Sequence, residues 1–303
     1  MSTDERWFHR RGGLSREGWE SVVDGDVPGW QHTGIRIGEL SEGERLALPD
    51  AGVERIVVPL SGSFRVAQNE GGLSSETVLD GRRSVFDGPT EVLYLSSAAT
   101  AVITGSGRVA VAESPTTTVR RSHRIPASDF RVELRGAGAA SRQVHNFGTP
   151  EALDAARLIV CEVITPAGNW SSYPPHKHDE HVPGHETRLE EIYYFESAPA
   201  RGSGREDAAD GAFGMFSTYS SPAGEIEIDA MVRSGDIALV PFGYHGPAVA
   251  APGYDLYYLN VMAGPDPERA WLISDDPAHA WVRENWPDES MDGRLPYTAE
   301  GAH

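Results

Sequence analysis

Lysine is nearly missing from this chain of 303 residues: of its 26 Lys and Arg residues only one, Lys177, is lysine. It is either a chance survivor on a solvated loop or a mark that this spot needs a compact ammonium rather than a guanidinium fork. Cysteine is equally scarce. Cys161 is alone, so no internal disulfide forms, and within the apolar run 157–164 it reads as core packing. No apolar run approaches membrane-spanning length, and Met1 to Arg6 lacks the apolar stretch of a signal peptide, which points to the cytoplasm. A net charge of −19 argues against nucleic acid or an anionic membrane as partner, since both would repel it. It does not exclude a small anionic substrate held by a few local cations and a metal. Long helical periodicity is scarce too.

What is present is short apolar or alternating runs separated by turn residues, with 33 Gly and 21 Pro to supply the turns. Residues 55–60, 91–95 and 108–112 are such runs in the first half; 191–195, 236–240 and 256–262 are their counterparts in the second. Many short strands at regular spacing indicate an all-β sandwich or barrel. The order of features repeats, with Glu54 and Glu191 each opening a β-rich run. Two tandem barrels are therefore expected, residues 1–140 and 141–303, joined between Ser114 and His145.

Histidine separates the halves. His176, His178, His181 and His185 fall within ten residues of the second half, whereas the first has no ligand-spaced pair. His176 and His178, at i and i+2, share one face of a strand and suit two bonds to a metal. Glu191 is the third candidate, because its register sends Tyr193 and Phe195 inward with it; Glu190 is the rival and would then be left in solvent. His245 follows a Pro241-Phe242-Gly243 turn that can swing it back toward the barrel axis. Three imidazoles and a carboxylate suit Zn, Mn, Fe(II), Co or Ni. His181 and His185 lie in a polar stretch and read as rim residues. The first barrel is expected to carry no metal.

Glycine-spaced His-x-His plus Glu, then Gly235 to Pro241-x-Gly243 followed by His245, resembles the two motifs of the cupin superfamily, which implies tandem double-stranded β-helix barrels. Twelve residues lie between His178 and Glu191. That is longer than a generic cupin has, so an inserted loop should close over the mouth. A closer resemblance covers most of the chain. Gly168 to Asp179, Leu189 to Tyr194, Tyr254 to Gly264 and Asp275 to Trp281 look like the 5-deoxy-glucuronate isomerase family of inositol catabolism, where the long loop is normal. The resemblance implies conversion of 5-deoxy-glucuronate, an aldose acid, to 2-deoxy-5-keto-gluconate.

Such a reaction moves hydrogen between C1 and C2 through an enediol or a hydride shift, with a divalent metal as Lewis acid. Tyr193 and Tyr258, or Tyr257, are the candidates for proton handling. The substrate carboxylate calls for paired donors, from Arg142 or Arg188, and Lys177 reaches the substrate only if Pro174-Pro175 breaks the strand's alternation. An Fe(II) dioxygenase, a related ketouronate isomerase and a non-catalytic sugar-binding cupin are the rival readings. A homo-oligomer is expected.

Overall fold

The computed structural model describes residues 5–299 and is built almost wholly from antiparallel strands in three hydrogen-bonded sheets. The strands from Ser21–Val23 to His123–Ile125 form one eight-stranded sheet. Two long strands, Val53–Glu70 and Ala99–Pro115, pair along their whole length and curve that sheet into a barrel. Their crossing is tight. A Cβ on Gly62 would meet the Ser106 carbonyl oxygen at 1.9 Å, so only glycine lets the two backbones approach where they bend.

The second half supplies a seven-stranded sheet centred on Glu190–Pro199 and Tyr254–Ala263, and a six-stranded sheet facing it. Strand membership departs from chain order in two places. Phe8–His9 pairs with Ala238 and Ile237, at the edge of the second half's sheet. The boundary expected at residue 140 falls inside a pair of strands, Arg131–Arg135 and Arg142–Gly148, so the second hydrogen-bonded unit starts before it. The reason is local: Gly136 to Ser141 is a small-residue turn that folds one strand directly onto the next.

The runs that read as continuously apolar are strands buried on both faces. Val57, Leu93 and Val111 point into the first barrel's own core. Ile56, Val58, Tyr94 and Ala112 point the other way, into a larger core shared with Ile192, Tyr194 and Leu259 of the second half. Sheet packs on sheet between the halves, and burial on both sides removes the usual alternation of apolar and polar residues.

Two carboxylates pin this junction reciprocally. Glu54 of the first half accepts the backbone N–H groups of Ala156, Arg157 and Leu158 at 2.7, 2.6 and 2.8 Å. Glu190 of the second accepts those of Gln31, His32 and Thr33 at 2.9, 2.7 and 3.3 Å. Glu190 is thus buried, not in solvent as the sequence suggests, because its outward face meets the other barrel. Burial pushes its carboxyl up, and the backbone donors oppose the shift. Register corrects the repeat as well. Arg55 lies opposite Leu95 as Glu191 lies opposite Val240, so Glu54 corresponds to Glu190 and Arg55 to Glu191.

Deeper in the junction, Arg82 grips Glu162 through two bonds of 2.8 and 2.6 Å. Glu162 also accepts from His145 Nδ1 at 2.6 Å and the Tyr257 hydroxyl at 2.7 Å. Among the described residues no helix is long and apolar enough to cross a membrane.

Candidate metal centre and cavity

His176, His178, Glu191 and His245 come together inside the second barrel. The short strand His176–Lys177 lies beside Tyr244–Ala250 with His176 opposite His245, and Glu191 enters from the facing sheet. The turn before His245 needs Gly243: its φ is +94°, and a Cβ there would sit 2.8 Å from the Tyr219 carbonyl oxygen. Glu191 Oε2 is 2.9 Å from His178 Nε2 and 3.0 Å from His245 Nε2. The rings of His176 and His245 are centred 4.5 Å apart. One ligand atom each from His178, Glu191 and His245 falls within 4.8 Å of the others.

The backbone decides which nitrogen faces the centre. Nδ1 of His176, His178 and His245 lies 3.2, 3.1 and 3.2 Å from the carbonyl oxygens of Pro174, Leu189 and Gly243. A carbonyl only accepts, so each Nδ1 carries a hydrogen and Nε2 is the nitrogen that turns inward; that of His178 donates to the Glu191 carboxylate at 2.9 Å. His245 Nε2 is buried with no hydrogen-bond partner. An unpartnered lone pair 3.0 Å from a carboxylate oxygen is repulsive unless a positive charge sits beside them. A divalent cation fits that need, and the imidazole–carboxylate donor set suits a borderline metal. Burial opposes ionisation of Glu191, yet the hydrogen bond from His178 outweighs it and holds the carboxyl well below the usual range. Burial, with His245 beside it, pushes His176 well below the ordinary imidazole value, which keeps it neutral as a ligand must be.

Lys177 faces away from this centre. Its ammonium is buried and donates to Asp179, Glu180 and Glu186 at 2.8, 2.8 and 2.9 Å. A compact head with three separate acceptors is what one lysine supplies and an arginine fork does not. Burial works against that charge, but the three carboxylates raise its pKa. Asp179 in turn accepts the Gly243 N–H at 2.8 Å, so Lys177 braces the turn that carries His245. It is a support, not a substrate contact. His181 and Arg188 are also outside the cavity: His181 Nδ1 is 2.9 Å from Asp266, and Arg188 is exposed beside the same carboxylate. His185 borders the cavity.

The cavity holds about 540 Å³, with His176 and Glu191 in its wall. Tyr193 and Tyr258 line it, whereas Tyr257 points to Glu162 on the opposite face. The Tyr193 hydroxyl is 2.9 Å from Ser172 Oγ. Burial raises both phenols above their ordinary value, so they stay protonated and serve as donors. Arg142 also lines the cavity, together with Arg135 and Arg283, which sequence reasoning missed. The signal for Arg135 was its place across the Gly136 to Ser141 turn from Arg142. Asn260, buried on the inner face within the run Tyr254 to Gly264, and Trp271 are further lining residues that the sequence did not single out.

Residues 8–282 match the KduI/IolB family model. The chain belongs to the KduI/IolB family. Within it, the chain is 38% identical to a 5-deoxy-glucuronate isomerase of Geobacillus kaustophilus over 279 residues, covering 89% of this chain and 93% of that one. The 5-deoxy-glucuronate isomerase of Bacillus subtilis strain 168 is 37% identical, covering 76% of this chain and 80% of that one. An IolB-like protein of Salmonella typhimurium superposes with a TM-score of 0.79 at 32% identity, over 91% of this chain and 98% of that one. Oxalate decarboxylase of Lactobacillus farciminis, at a TM-score of 0.60 and 10% identity over 91% of this chain and 90% of that one, shares the fold alone. These superpositions support the tandem-barrel cupin fold for this chain.

Proposed function

We propose that this chain is a metal-dependent 5-deoxy-glucuronate isomerase that forms 2-deoxy-5-keto-gluconate in the breakdown of inositol. The observation that carries the reading is one cavity lined by His176, Glu191 and the buried Arg142, with His178 and His245 gathered on Glu191, in a chain of this family. His176, His178, Glu191 and His245 would hold the metal. A divalent ion bound there supplies Lewis acidity toward the C1–C2 carbonyl and hydroxyl oxygens. Tyr193 and Tyr258, kept protonated by burial, donate hydrogen bonds to those oxygens and steady the charge that develops on them. Arg142 takes the substrate carboxylate at the far end of the six-carbon chain. The division into a metal-free first barrel and a metal-bearing second one, a cytoplasmic setting and a homo-oligomer belong to the same proposal.

The deciding experiment is turnover of purified, metal-loaded protein on 5-deoxy-glucuronate, beside the related ketouronate and without O₂. Conversion of the first acid alone is the expected result; conversion of the second alone, or dependence on O₂, would overturn the reading. Run in D₂O, an enediol route places deuterium on the carbon that was C1 of the substrate. Product free of deuterium assigns a hydride shift from C2 to C1.

A further inference from the structure

The cavity wall changes character in a fixed order along the inner face of the seven-stranded sheet. Glu191 and Tyr193 lie on the strand Glu190–Pro199, and Asn260 faces Tyr193 from the next strand. Tyr258, two residues from Asn260, lies opposite Val163. Val163 lies opposite Val144, and Arg142 is two residues from Val144 on the same face. From the strand of Glu191 to that of Arg142 is three strand spacings, roughly 14 Å between backbones, which an inward arginine and a six-carbon acid together can bridge.

Charge singles out one of the three arginines. Arg135 is tied to Glu133 at 2.9 and 3.3 Å, and Arg283 to Asp275 at 2.7 Å. Arg142 has no carboxylate partner among the described residues; it donates to the Ala140 carbonyl at 2.9 Å and lies over the ring of Trp286. Burial, with Arg135 and Arg283 adding repulsion, pushes its guanidinium down to about 10, still a cation at neutral pH. Two donors in the wall are also unmet: Asn260 Nδ2, on a residue only 4% exposed, and the Trp271 indole N–H. Between Arg142 and Tyr258 the step is apolar, made by the facing pair Val144 and Val163.

We infer that this order reads the substrate end to end: Arg142 binds the carboxylate, Val144 and Val163 cover a methylene beside it, and Asn260 meets a mid-chain hydroxyl. The valines then select an acid that lacks a hydroxyl next to its carboxylate, a 5-deoxy-uronate over the parent uronate. The inference rests on the isomerase reading and deepens it. A hydroxyl pressed against two valines loses water without gaining a partner. Apolar walls reject an added hydroxyl by at most about a hundredfold, so selection of that order is the ceiling.

The test measures kcat/KM and calorimetric Kd for 5-deoxy-glucuronate and glucuronate, in the wild type and in Val144→Thr, Val163→Thr and Arg142→Met. Wild type should favour the deoxy acid by roughly 10- to 100-fold. Each threonine, equal in shape to valine, should cut that ratio by about tenfold by satisfying the extra hydroxyl of glucuronate. Arg142→Met should raise KM and Kd for both acids by about 10- to 100-fold and leave their ratio alone. No preference in the wild type, or an unchanged ratio in both threonine variants with wild-type melting temperatures, overturns the inference. Absence of turnover with the Kd preference intact overturns the isomerase reading and upholds the inference about binding.

Discussion

The two barrels answer the same structural position with opposite charges. In the second, Glu191 points inward and draws the imidazoles of His178 and His245 to it. In the first, Arg55 occupies the matching place, buried, with its Nε 2.7 Å from Glu113, and Arg36 lies 3.0 Å from the same carboxylate. Met262 stands in the second barrel where Glu113 stands in the first, because each pairs with the residue just compared. The first barrel thus carries its own cation in the form of two guanidinium groups, and its centre is electrostatically complete. The second leaves Nε2 of His245 unpartnered and calls for a cation from outside. On the function proposed above, one scaffold becomes a support or a reaction chamber according to whether the positive charge is covalently part of the chain.

The sharpest way to break this contrast is to remove the acceptors of the second barrel. Glu191→Gln and His245→Ala should each lose the bound metal and at least about a thousandfold in kcat, while circular dichroism stays that of the folded protein. Elemental analysis of the wild type should return one metal per chain; two would mean that the first barrel is not closed by Arg55 after all.

Next in size is the junction between the barrels. Arg82→Met strands the buried Glu162 carboxylate and should cost about 3–5 kcal/mol in denaturant unfolding. Burial raises the Glu162 carboxyl, but Arg82 and then His145 outweigh it and hold the group well below the ordinary carboxylate range. Its contribution is therefore complete above the unfolded value and is lost as pH falls through the depressed folded one. Stability of the wild type should fall more steeply on acidification than that of Glu162→Gln, and parallel curves would contradict the assignment.

The reciprocal pins sharpen the symmetry. Glu54→Gln and Glu190→Gln each weaken the acceptor of a set of backbone N–H donors and should each cost about 1–3 kcal/mol. Similar losses in the two variants are expected of equivalent positions, and an effect at Glu54 alone would show that the junction is one-sided. Smallest of all is His181→Ala. The side chain is exposed and bound only to Asp266, so kcat/KM and metal content should stay close to wild type; a vacated centre would place the loop among the ligands.

Much of this was legible in the chain itself. The apolar runs marked the strands, and the His176–His178 pair, Glu191 and the turn before His245 marked the centre, since ligand spacing on strands is local information. Other features were hidden because they depend on partners far along the chain. Glu190 read as a solvent residue until the first barrel covered it. Lys177 stood open as a substrate contact, conditional on a break at Pro174-Pro175, until the loop brought Glu186 back to it. Trp271 and Arg283 lie outside every motif, and only the fold of the C-terminal segment brings them to the cavity.

The sequence alone determined that this is a β protein with two similar halves, that the candidate metal donors cluster in the second, and that it has no internal disulfide. Tertiary structure decided which of two adjacent glutamates faces the centre, which arginine is left without a counter-charge, and where the barrels meet. The physical reason is the two-residue period of a strand: it offers each pair of neighbours to opposite faces equally, and only the surfaces packed on those faces give one an interior and the other a junction.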